Sequence, residues 1–209
     1  MSIHYQRIAL GGKVYYPTAT DRSPEYEAIF PETARGLSIL DLACNTGFYA
    51  LRAAYEGASR VVAVERNGKL LRRGTKIAEE NGLPVQFVHG DMCQIKFKTR
   101  RGFDEKFDVV LCMNVLHYFP DIEVVDALLA RIDGWARQTI VFINLVPTGD
   151  EDSTMTKDKK GRNRLAISAQ HIFDAFPDFW PQAVPSRMRP HDRLRIKLTK
   201  QWVKDNNWM

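Results

Sequence analysis

Ser38-Ile39-Leu40-Asp41-Leu42-Ala43-Cys44-Asn45-Thr46-Gly47-Phe48-Tyr49-Ala50-Leu51 joins an apolar run to an acidic residue, a turn of small residues and a second apolar stretch. That order reads as strand, turn, helix. A strand buried on both faces is a short continuous apolar run, and a turn whose backbone approaches a ligand closely is built of small residues. The helix that follows opens on a crevice at the carboxyl end of the strand, where open α/β sheets bind their ligands.

A second β-branched run, Ser59-Arg60-Val61-Val62-Ala63-Val64-Glu65, ends in a carboxylate eighteen residues after Gly47. Such a carboxylate can accept hydrogen bonds from both hydroxyls of a ribose, and in dinucleotide-binding folds the acidic residue with that task lies roughly 20 residues past the glycine turn. A phosphate cradle asks for several glycines and often a lysine, whereas this turn has only Gly47. The two strands therefore read as a site for a nucleoside rather than for a pyrophosphate.

These residues resemble the class I S-adenosylmethionine-dependent methyltransferases. The first motif of that family runs apolar, apolar, Asp, apolar, Gly, Cys or similar, Gly, Thr or Ser, Gly, and the chain has Ile39-Leu40-Asp41-Leu42-Ala43-Cys44-Asn45-Thr46-Gly47. Ala43 and Asn45 stand in place of two glycines. Ala43 is a small replacement, and asparagine is among the few residues that tolerate a left-handed backbone. The resemblance continues in order through Glu65, through Val85-Gln86-Phe87-Val88-His89-Gly90-Asp91-Met92 and through Phe107-Asp108-Val109-Val110-Leu111-Cys112-Met113-Asn114-Val115-Leu116-His117-Tyr118-Phe119. One block alone is a weak signal, but four in order span residues 38 to 119. They imply a Rossmann-like, doubly wound, mostly parallel α/β fold with an antiparallel C-terminal pair, and S-adenosylmethionine as cofactor.

The whole chain agrees with one domain over 1–209. Its 209 residues are 44% apolar, enough to bury about 70% of the unfolded surface without a covalent staple. Cys44, Cys93 and Cys112 lie in no metal-binding spacing and read as reduced small hydrophobes of an intracellular protein, with no metal site. The start, Met1-Ser2-Ile3-His4-Tyr5-Gln6-Arg7, lacks an apolar signal core, and no window approaches the ~18 apolar residues of a membrane span. The expectation is a cytoplasmic protein with no membrane partner.

No period of 20 to 50 residues repeats, and the organisation is serial. Residues 1–37 form an N-terminal segment with Tyr15-Tyr16-Pro17 and a short helix near Pro24, capped by Ser23. Residues 38–146 alternate strands near 38–42, 61–65, 85–88, 107–112 and 139–145 with helices near 47–56, 67–81 and 121–134, the pattern of a parallel sheet covered on both faces. Residues 147–164 are almost wholly polar, which reads as a lid or as a loop with no core of its own. Residues 165–209 would hold a helix over Ser168 to Phe176 and a hairpin of Arg187–Pro190 with Leu194–Thr199, turning at His191-Asp192-Arg193.

What the resemblance implies for the site can be set out residue by residue. Asp41, with backbone amides near Ala43, Asn45 and Gly47, would hold the ammonium and carboxylate of the methionine end through charge-assisted hydrogen bonds. Glu65 would take the ribose diol, Asp91 the exocyclic amine of adenine and Met92 the face of the ring, while Asn114 would reach the methionine moiety. Each has a plainer rival: Asp41 satisfying turn amides, Met92 as core. His117, in the loop after the fourth strand, is the candidate base, its ordinary pKa being suited to neutral pH; its rival role is to cap a helix or pack beside Tyr118.

The acceptor is drawn from Tyr15, Tyr16, Arg22, Tyr49, Tyr118, Phe119 and the 148–164 loop, and a small molecule is the first expectation. No Asn-Pro-Pro-Tyr follows the fourth strand, as it does in amine-directed base methyltransferases. Asn114-Val115-Leu116-His117 is similar to small-metabolite members, although some tRNA-modifying members also carry Leu-His. Net charge is +5, concentrated over residues 157–200, so RNA held by the basic C-terminal region stands as a second reading. A catalytically silent methyltransferase-like binding subunit is the third. The oligomeric state is left open.

Overall fold

The computed structural model describes residues 6–97, 105–145, 154–157, 161–183 and 194–200. These fall into two compact units, one up to Met92 and one from Cys93 onward.

In the first unit, β1 (Gln6–Leu10), β2 (Lys13–Tyr15) and β3 (Thr20–Asp21) make a small sheet in the order β2-β1-β3. It is a feature the sequence reading lacks. Its hairpin turns at Gly11-Gly12, both with positive φ (53° and 82°), which two glycines adopt without steric cost. Helix α1 (Ser23–Ile29) follows, but Ser23 is not its cap. Ser23 is the first helical residue, and its own amide donates to Asp21 Oδ1 at 2.9 Å, so Asp21 supplies the oxygen expected of the serine.

Strands β4 (Ser38–Leu42), β5 (Arg60–Glu65) and β6 (Val85–His89) then run parallel in the order β4-β5-β6, joined through helices α2 (Phe48–Tyr55) and α3 (Gly68–Glu80). All of Ile39, Leu40, Val62 and Ala63 are fully buried, as the unbroken apolar runs require. Burying each of the larger ones contributes about 1.5 to 3 kcal/mol. Only β6, at the edge, alternates towards solvent. Asn67 caps α3, its side chain accepting from the amides of Lys69 and Leu70.

The second unit holds β7 (Phe107–Met113), a 3-10 turn at Leu116–Tyr118, α4 (Ile122–Trp135) capped by Asp121, and β8 (Ala136–Leu145). β7 and β8 are parallel. The polar stretch expected to be a loop contains a hairpin, β9 (Thr154–Lys157) with β10 (Asn163–Ala166), in which Leu165 and Ala166 are buried. Helix α5 (Ala169–Asp174) lies within the expected 168–176 stretch but is shorter, with Ser168 outside it as the cap that accepts from the amide of His171. β11 (Phe179–Ala183) and β12 (Leu194–Lys200) close the unit, β12 antiparallel to both β11 and β8. The antiparallel C-terminal pair is therefore present, but the strand beside β12 is 179–183. The expected partner at 187–190, with its turn at 191–193, lies outside the described residues.

The main strands number seven among the described residues, three in the first unit and four in the second, and the class is the mostly parallel α/β one expected. No described helix is long and apolar enough to cross a membrane, and no described group of His, Cys, Asp and Glu is placed to hold a metal ion.

Candidate functional site

Every second residue of the turn after β4 is left-handed: Ala43 at φ 55°, Asn45 at 59° and Gly47 at 84°. The three positions are the ones the family fills with glycine. For a residue with a Cβ this conformation costs roughly 1 to 2 kcal/mol, so Ala43 holds strain that the surrounding bonds must hold in place. Those bonds are complete. The amide of Cys44 donates to Val64 O (2.9 Å), that of Gly47 to Cys44 O (2.9 Å), and that of Thr46 to Asn45 Oδ1 (2.8 Å), which also accepts from the Thr46 hydroxyl. The amide of Asn45 donates to Glu65 Oε2 at 2.9 Å.

Glu65 holds two loops at once, since its other oxygen accepts from the amide of Asn67 at 2.8 Å. One carboxylate at the end of β5 thus ties the β4 turn to the cap of α3, while each oxygen keeps a second lone pair for a ligand. Asp41 is different. It is fully buried, Oδ2 has no hydrogen-bond partner, and burial pushes its carboxyl up to about 8 against a backbone hydrogen bond from Ala50, with Glu65 adding repulsion. A buried acid in this state is stabilised by a cation brought beside it.

Residues 39–137 match the family model of the methyltransferase domain. Over this stretch the chain is a class I methyltransferase domain. The cofactor of that family is S-adenosylmethionine. The sterol 24-C-methyltransferase of Aspergillus fumigatus is 31% identical over 133 residues, 63% of this chain and 33% of that protein. The ubiquinone biosynthesis O-methyltransferase of Actinobacillus pleuropneumoniae is 31% identical over 146 residues, 68% of this chain and 56% of its own. The chain thus spans less than two thirds of these curated relatives. A magnesium protoporphyrin IX methyltransferase from Synechocystis PCC 6803, solved with bound S-adenosylmethionine, shares the fold at a TM-score of 0.60 and 16% identity, over 86% of this chain and 77% of that one.

The methyltransferase turn fits that cofactor at two ends: Asp41 offers a buried, unpartnered oxygen to an ammonium, and Glu65 a fixed carboxylate to a diol. The expectation that amides of the turn hold the methionine carboxylate fits less well, because the amides of residues 44 to 47 are all committed within the protein. Asp91 is exposed two residues past the end of β6, and Met92 is buried at 7% exposure. The amide of Gly90 donates to Glu65 O at 3.2 Å, which keeps this loop beside the end of β5.

In the second unit Asn114 is left-handed (φ 58°) and its amide donates to Ile143 O at 2.8 Å. The His117 ring is buried and lies 4.1 Å from the Tyr118 ring, centroid to centroid. Of the residues gathered for the acceptor, three serve the first unit's own structure. Tyr15 bonds Glu80 and Asn81 at the end of α3, while Arg22 and Tyr49 both donate to the buried Glu25, at 2.8 and 2.6 Å. Tyr118 is 59% exposed.

Sequence reasoning missed the residues that shape the turn from below. A Cβ on Gly47 would sit 2.9 Å from the Phe87 ring, and one on Gly74 would meet both that ring and Thr46 O at 2.7 Å. Gly74 is the position in α3 that lets the turn and Phe87 come so close, and a glycine in mid-helix is the signal that marked it. Gln6 was also missed: its buried amide oxygen accepts from Phe48 N at the start of α2.

Proposed function

We propose that the protein is an S-adenosylmethionine-dependent methyltransferase that passes the methyl group to a small-molecule acceptor by in-line displacement. The observation that carries the reading is the turn itself, left-handed at 43, 45 and 47 between an unpartnered buried Asp41 and a doubly anchored Glu65. When bound, the cofactor supplies a sulfonium-activated methyl group. The chain's residues supply alignment, worth roughly 7 to 11 kcal/mol in well-oriented reactions, and exclusion of water. In this reading Asp41 faces the ammonium, Glu65 the ribose diol, Asp91 the adenine amine and Met92 the ring face. For the second unit it assigns Asn114 to the methionine moiety and His117 to the acceptor's proton.

The small-molecule reading is supported by relatives named for a sterol and for ubiquinone biosynthesis. Incubation with methyl-labelled cofactor and either a protein-free metabolite extract or bulk tRNA tests it. Label is expected in the metabolite fraction. Label in tRNA would favour the RNA reading, and label in neither, with cofactor bound, the silent binding subunit.

A further inference from the structure

The amino-acid end of the cofactor carries an ammonium and a carboxylate on one carbon, and the turn serves only the first. Asp41 offers its unpartnered Oδ2 to the ammonium, whereas the amides of residues 44 to 47 are spent within the protein and leave the carboxylate without a donor. A carboxylate taken out of water needs donors of its own. The first unit has two that are uncommitted, side by side at the start of α2.

Gln6 is 6% exposed and belongs to β1, which packs on α2. Phe48 N lies 3.4 Å from its Oε1, and because that partner is an N–H, the oxygen must face it and the NH2 group must turn away. Among the described residues nothing accepts from this NH2 group, and its nitrogen is not sealed from solvent. The next amide of the helix, that of Tyr49, likewise donates to no described residue. The one after it, Ala50, donates to Asp41. Three consecutive amides are thus capped by Gln6, open, and bound to Asp41. They lie at the N-terminus of an eight-residue helix, where orphan N–H groups point outward and the dipole favours an anion.

An open amide flanked by a buried NH2 donor on one side and an unpartnered acid on the other is complementary to an α-amino acid. We propose that Gln6 and the Tyr49 amide hold the carboxylate of the cofactor's amino-acid end, and that Gln6 is the residue by which the protein separates this cofactor from nucleosides lacking that carboxylate. The proposal rests on the methyltransferase reading above and extends its site to β1, outside residues 39–137 matched by the family model. The Gln6 oxygen keeps Phe48 N while its NH2 group donates to a carboxylate oxygen, a bond to an ionised acceptor and so about twice as strong as a neutral one.

The test is calorimetric titration of the full chain with S-adenosylhomocysteine and with its decarboxylated analogue, which keeps the nucleoside and the ammonium and lacks only the carboxylate. Wild type should bind S-adenosylhomocysteine about 30-fold or more tighter than the analogue. Gln6→Leu should weaken S-adenosylhomocysteine about tenfold and leave the analogue within about twofold of wild type, which also reports that the variant is folded. Gln6→Glu keeps an acceptor for Phe48 N but sets an anion in place of the NH2 group, so it should weaken S-adenosylhomocysteine further than leucine does and spare the analogue; it decides alone if the leucine variant does not fold. Equal affinity of wild type for the two compounds, or a preference that survives both substitutions, would overturn the proposal. So would an equal loss of both compounds in both variants, since Gln6 would then only support α2. Binding of neither compound by wild type would strike the cofactor reading itself and the assignment with it, a result distinct from equal binding of both.

Discussion

The turn at 43–47 and the β9–β10 hairpin solve opposite problems. The turn is a device of backbone: its amides are spent on its own carbonyls, on Asn45 and on Glu65, and what matters at 43, 45 and 47 is the sign of φ. The hairpin is a device of side chains, in which Arg164 reaches Tyr118 from a strand only four residues long. A backbone device survives replacement of two glycines by Ala43 and Asn45. A side-chain device stands or falls with the identity of one residue.

The largest effect should come from Asp41, the buried acid of the turn. Its carboxyl stands at about 8 in the fold against 3.8 when unfolded. Between those values the folded chain keeps a proton that the unfolded chain has released, so stability must fall as pH rises from about 4 to 8 and level off above. The loss should be roughly 3 to 6 kcal/mol. Urea titrations across that range check it, and Asp41→Asn should flatten the profile.

Gly47→Val should cost about 3 to 4 kcal/mol of unfolding free energy. It combines a β-branched residue at φ 84° with a Cβ 2.9 Å from Phe87. Ala43→Gly should do the reverse, gaining at most about 1 kcal/mol in the same assay, because strain is relieved while the unfolded chain gains freedom. If the valine were tolerated as well as the alanine, the turn would not be governed by its backbone.

For the second unit, His117→Gln separates base from packing. As a base, its loss should lower kcat roughly 100-fold and leave cofactor affinity within about twofold. A fall in both together would make His117 a support for Tyr118.

The same contrast explains what the sequence could show. Strands β4, β5 and β7 lie within a residue or so of their reading because buried parallel strands are nearly unbroken apolar runs, and the edge strand β6 does so on its shorter apolar pattern. Of the three left-handed positions, Asn45 was legible because so few non-glycine residues tolerate that backbone, whereas Ala43 was legible only as a small residue standing where the resemblance has glycine. β1 to β3 were missed because strands of two to five residues have too little periodicity, although Gly11-Gly12 marked the turn. The β9–β10 pair was hidden in polar composition, since Met155, Leu165 and Ala166 are the only apolar residues in its two strands. The Phe87 and Gly74 contact joins residues far apart in sequence, and the commitment of amides 44 to 47 to internal partners depends on distances no residue pattern encodes.

The central claim, that the turn and Glu65 together hold the cofactor, is tested most directly by calorimetric titration of S-adenosylhomocysteine into wild type and Glu65→Ala. Wild type should bind at the micromolar level. The alanine variant should bind more weakly by about 1.5 to 3 kcal/mol, or roughly 10- to 100-fold, since it loses an ionised acceptor and the anchor of Asn45. No binding by wild type, or equal binding by a folded Glu65→Ala variant, would contradict it.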